Sequence, residues 1–118
     1  MTSSQARMAT SGRKSKDDNS TADTNSVQIS GRISAVMVRT LTDGSELVTF
    51  RIIVSDGAGR HDTLDCASTK RGIISRAKAL PVDARVDVVG ALRRTFWRAG
   101  TSVGSRTSID VLTLTRGR

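Results

Sequence analysis

A chain of 118 residues with 36% hydrophobic content holds one domain around a modest core. Its 19 Lys and Arg against 11 Asp and Glu leave a formal net charge of +8, which selects an anionic partner, either nucleic acid or an anionic membrane surface. No apolar run nears the roughly 20 residues that cross a bilayer, and a single cysteine, Cys66, with a single histidine, His61, excludes an intrachain disulfide and a multi-ligand Cys/His metal site.

Residues 1–26 are Ser, Thr, Asn, Asp, Lys and Arg with few apolar side chains, too few to offset the entropy of ordering, and read as a disordered tail. The tail carries four basic and three acidic residues, so most of the positive charge falls on residues 27–118. It lacks the apolar stretch of a secretory signal, and the expected location is the cytoplasm, associated with the nucleoid.

From Val27 onward, short runs of Val, Ile and Thr alternate with turn residues, the pattern of an all-β domain. The first strand, Val27 to Val38, sets Val27, Ile29, Gly31 and Ile33 on one face, and Gly31 permits a sharp bend. After a turn at Thr42-Asp43-Gly44-Ser45, a second strand over Glu46 to Ser55 sets Val48, Phe50, Ile52 and Val54 on one face, which makes Phe50 a core residue. A turn at Asp56-Gly57-Ala58-Gly59 leads to a third strand near His61 to Ser68.

Between Lys70 and Leu80 the period changes: Ile73, Ile74, Ala77 and Leu80 recur at helical spacing, basic residues flank them, and Pro81 stops the element. The fourth strand, Arg85 to Trp97, is the longest and contains Gly90; the fifth runs from about Arg106 to Thr115. Ala99 to Ser105 reads as a flexible loop between them. The order β-β-β-α-β-β specifies an OB-fold: a five-stranded barrel with one helix between strands 3 and 4, whose strand 2–3 face and L12 and L45 loops bind oligonucleotides.

Four segments carry a resemblance. Val27-Gln28-Ile29-Ser30-Gly31-Arg32-Ile33, Leu47-Val48-Thr49-Phe50-Arg51-Ile52, Asp62-Thr63-Leu64-Asp65-Cys66-Ala67 and, most sharply, Gly90-Ala91-Leu92-Arg93-Arg94-Thr95-Phe96-Trp97 resemble, in order, the first four strands of the bacterial single-stranded-DNA-binding protein family. That resemblance implies largely sequence-independent binding of single-stranded DNA in replication, repair or recombination, without catalysis or a cofactor. It also implies assembly as a homo-oligomer, a dimer or a tetramer. In the family the fourth strand carries basic side chains and ends in an aromatic on which a base stacks, and the matching positions are Arg93 and Trp97. Their spacing agrees, because Arg93, Thr95 and Trp97 share one face of a period-2 strand.

Further candidates for phosphate contact are Arg32 and Arg51 on outward registers, Arg39 at the end of strand 1, and Arg98 and Arg106 flanking the Gly/Ser-rich segment. Phe96, on the register opposite Trp97, is expected in the core. Two departures from the family stand out: aromatics are only 3% of the chain, with Leu64 where strand 3 of the family carries a stacking tryptophan, and residues 113–118 show no acidic tip. The alternative is therefore an OB-fold interaction module of a replication or recombination assembly, with weak DNA binding or none. The basic residues Lys70, Arg71, Arg76 and Lys78 read as the solvated face of the helix. Cys66 reads as a small buried hydrophobe, and no phosphate-cradling glycine motif or nucleophile–base set points to an enzyme.

Overall fold

The computed structural model describes residues 22–117, so residues 1–21 of the expected tail, and Arg118, lie outside the described residues. Five strands and one helix follow in the order β1 (Val27–Thr40), β2 (Glu46–Ser55), β3 (His61–Ser68), α1 (Arg71–Ala79), β4 (Arg85–Ala99) and β5 (Ser102–Arg116). They close into a barrel with strand order β1-β2-β3-β5-β4. The molecule is an OB-fold, as the order of elements requires.

Alternation builds the interior. Ile33 of β1, Val48, Phe50 and Ile52 of β2, Cys66 of β3, Val86 and Val88 of β4, and Val111 of β5 are all buried, each on the register that points inward. Strand β1 serves two neighbours: residues 27–32 pair antiparallel with β4, and residues 32–40 pair antiparallel with β2. At the crossover stands Gly31, buried, where an added Cβ would strike the backbone carbonyl of Ile53. Only glycine lets β1 approach β2 so closely there.

Helix α1 closes one end of the barrel by burying Ile73, Ile74 and Ala77, the spacing of a single helical face. Its entry is fixed by Ser68, whose Oγ accepts a hydrogen bond of 3.0 Å from the Lys70 N–H. Arg76 and Lys78 occupy the last turn, where cations suit the negative end of the helix dipole. Leu80 is extended, as a residue before proline prefers to be.

The expected flexible loop at Ala99 to Ser105 is instead strand. Strand β4 runs to Ala99 and β5 begins at Ser102, so only Gly100 and Thr101 make the turn. Gly100 takes φ 63°, which a two-residue hairpin demands and glycine supplies at no steric cost. The small residues that suggest looseness in sequence are held by cross-strand pairing, and Gly104 has a packing reason described below.

Candidate nucleic-acid interface

Beyond the barrel wall β4 and β5 continue as a two-stranded arm. Strand β1 stops pairing with β4 at Val27–Gly90, and β5 pairs with β3 only at Cys66–Ile109 and Ala67–Asp110. From Arg93–Ser108 to Ala99–Ser102 the two strands pair only with each other among the described residues. Seven residues of β4 at about 3.3 Å each make a ribbon of about 23 Å. Asn25 braces its base: the side-chain amide donates to the Leu92 carbonyl at 2.7 Å, and its Oδ1 accepts from the Leu92 N–H at 2.9 Å.

One face of the arm continues the outer surface of the barrel. It carries Arg93, Thr95 and Trp97 on β4 opposite Ser108, Arg106 and Gly104 on β5. The indole lies across Gly104, where an added Cβ would stand 2.5 Å from two of its ring carbons. Glycine thus provides the flat bed on which the ring rests, and the ring remains 49% exposed. Arg93 pairs with Asp110 at 3.5 Å, whereas Arg106 has no acidic partner among the described residues.

The other face continues the inner register, yet nothing in the barrel covers it. Leu92, Arg94, Phe96 and Arg98 stand opposite Ile109, Thr107, Ser105 and Val103. Ile109 is the last buried residue of this row; Phe96 is 63% exposed. The expectation that Phe96 lies in the core is therefore corrected: it has the inward parity, but the arm has left the barrel before reaching it. The Arg94 guanidinium sits 5.2 Å from the centre of the Phe96 ring and donates to Ser105 Oγ at 3.3 Å. Arg98, a candidate for phosphate contact, belongs to this face and not to that of Trp97.

On the barrel itself, Arg32, Arg39 and Arg51 all lie on outward registers, paired across strands with Ile53, Leu47 and Ser34. Two of them have acidic neighbours, Arg32 with Asp83 at 3.8 Å and Arg51 with Asp65 at 3.3 Å. Arg39 has none among the described residues, and it flanks the L12 turn. At the tip of that turn Ser45 donates through its hydroxyl and its backbone N–H to Asp43, holding the carboxyl below its ordinary pKa. Leu64 is half-buried against the core, and the outward register of β3 is His61, Thr63, Asp65 and Ala67, with no aromatic.

Six of the seven candidates therefore share the outward register and Arg98 does not. The arrangement adds Phe96, which the sequence assigns to the core, and Arg94, to which it assigns no contact. A signal was present: Leu92, Arg94, Phe96 and Arg98 share one register, and two arginines on it cannot point into a barrel interior. Burial pushes the Cys66 thiol up to about 12, the opposite of an activated nucleophile. Among the described residues no group of three or more His, Cys, Asp or Glu could hold a metal ion.

No family model matches the sequence, and no curated protein matches it. Among solved structures, the chain is similar to a Plasmodium falciparum SSB in complex with ssDNA, with a TM-score of 0.69 at 18% identity. The match covers 83% of this chain and 98% of the other. The likeness is one of fold.

Proposed function

We propose that this protein binds single-stranded DNA, largely without regard to sequence, by arginine–phosphate contacts and base stacking on the β4–β5 arm. The observation that carries the reading is the outer face of the arm, where a half-exposed indole on a glycine bed lies in line with Arg93 and close to Arg106. A flat ring beside cations is what a flexible polyanion with exposed bases needs: stacking accepts any base, and the charges follow the backbone. The resemblance of the β4 segment and the fold shared with a protein solved with ssDNA favour the same partner. Arg39, Arg51 and Arg32 would extend the phosphate track over the barrel. The role falls within replication, repair or recombination, and a homo-oligomer would multiply the arms available to one strand.

Specific observations favour a second reading, an interaction module with weak DNA binding. Arg93 and Arg51 are each paired with an aspartate carboxylate, and among the described residues the outward register of β3 offers no aromatic ring. Titration with oligo-dT across a salt series separates the two. With about four to six phosphates contacted, log K should fall against log salt with a slope of about −3 to −4. A flat response, or no complex at low salt, would favour the interaction module. Competition between oligo-dT and oligo-U in the same series establishes the preference between DNA and RNA.

A further inference from the structure

We infer that the arm is a two-sided binding element: its second face, built on Phe96, Arg94 and Arg98, holds another segment of single-stranded nucleic acid while the Trp97 face holds the first. This rests on the proposed single-strand binding and extends it to a surface that binding through Trp97 alone leaves idle.

The argument begins with an apolar stripe in the wrong place. Leu92, Phe96 and Val103 are 47%, 63% and 61% exposed on the inward-parity face. Aromatic and aliphatic side chains in that exposure need a partner. The chemistry of the partner follows from what is interleaved with them. Arg94 and Arg98 alternate with Leu92 and Phe96 along β4, the opposing β5 positions are Thr107, Ser105 and Val103, and no acid occurs on this face. Neither arginine has an ion-pair partner among the described residues, in contrast to Arg93 on the other side with Asp110.

A second copy of the chain would fit this face badly. Self-pairing would bring two arginines against two, and interface cores are depleted in charge. Single-stranded nucleic acid fits it well, since it brings phosphates for both arginines and a base for the ring. The Arg94 guanidinium lies over the Phe96 ring at 5.2 Å and the residue is 63% exposed, so a base stacked on the exposed ring would join cation and ring in one contact. Because Phe96 and Trp97 are adjacent residues on opposite faces, one ribbon two strands wide presents a ring and cations to each side. A strand long enough to double back, or two strands, can grip it from both.

The test uses the full chain and oligo-dT of about 30 nucleotides, beyond the roughly 4–16 that one OB-fold occupies. Phe96→Ala should weaken binding by about five-fold or more, the least expected from loss of one stacked base. It should leave quenching of Trp97 emission at saturation intact. In the doubly substituted chain Phe96→Trp with Trp97→Phe, the lone indole reports from the second face, and oligo-dT should quench it. Arg98→Gln should reduce the magnitude of the salt slope by about 0.7.

Wild-type quenching combined with unchanged affinity in Phe96→Ala and no quenching in the doubly substituted chain would overturn the inference and leave single-strand binding standing. Absence of any wild-type complex would bring down both. A Phe96→Ala change in the sedimentation of the free protein, with affinity for oligo-dT preserved, would reassign the face to self-association and also overturn the inference. Phe96 is exposed, so its replacement spares the fold.

Discussion

The two halves of β4 obey the same alternation and end in opposite circumstances. From Arg85 to Gly90 every second residue is buried, with Val86 at 1% and Val88 at 0% exposure, because β1 and β5 flank the strand and its inward side chains share one core with those of β2 and α1. From Leu92 to Ala99 every residue is exposed. The side chains change accordingly, from valine to arginine and aromatics, while the backbone remains paired throughout. Alternation assigns residues to faces; a face becomes core only where a further layer covers it. In this protein the uncovered half carries the rings and cations of the proposed interface, and the covered half joins it to the barrel.

That contrast predicts unequal outcomes for two ring deletions. Phe50→Ala, in the barrel, should cost about 3–5 kcal/mol of stability in urea unfolding followed by circular dichroism. Trp97→Ala, in the arm, should cost less, about 1–2 kcal/mol, since only about half of the ring is covered, by Gly104 and its neighbours. Comparable losses would mean that the arm is part of the folding core and would erase the distinction. A second expectation concerns Cys66, sealed in the barrel with its pKa pushed up to about 12 from 9.0. The unfolded chain sheds the thiol proton first, so the group adds no pH dependence below about 9, and stability falls as pH rises from there toward about 12. In a Cys66→Ser chain that alkaline loss should shrink. A folded protein whose thiol is alkylated rapidly at pH 9 would contradict the burial.

The smallest effect sharpens the arm's electrostatics. Asp110→Asn releases Arg93 from its carboxylate and removes a negative charge near the track. Exposed pairs of this kind are worth about 0–1 kcal/mol, so affinity for oligo-dT should rise by no more than about five-fold, with stability unchanged. A fall in affinity would show that Asp110 positions Arg93 instead of competing for it.

Most of the barrel was legible in the sequence. Val48, Phe50 and Ile52 announce β2 by strict alternation, and Ile73, Ile74 and Ala77 announce the helix by their period; the glycine at Gly31 stands where β1 passes close to Ile53, while the irregularity of the strand lies between Ser34 and Met37. Phe96 was misread because parity was taken for burial. Parity is local, whereas the end of the barrel depends on β1 and β3 parting from β4 and β5, an event distant in sequence. The segment Ala99 to Ser105 was misread because Gly104 looked like a source of flexibility; its purpose appears only when Trp97 is seen resting on it. The ion pairs of Arg93 and Arg51 depend on cross-strand register, which one strand's sequence does not contain.

Trp97 is the sole tryptophan, so its emission reports on the central claim without a label. In the free protein at low salt the emission should have the red-shifted maximum of a half-exposed indole, and oligo-dT should quench it saturably, with the quench reversed by added salt. A blue-shifted emission, or one that stays constant while a mobility shift shows DNA bound, would contradict the account.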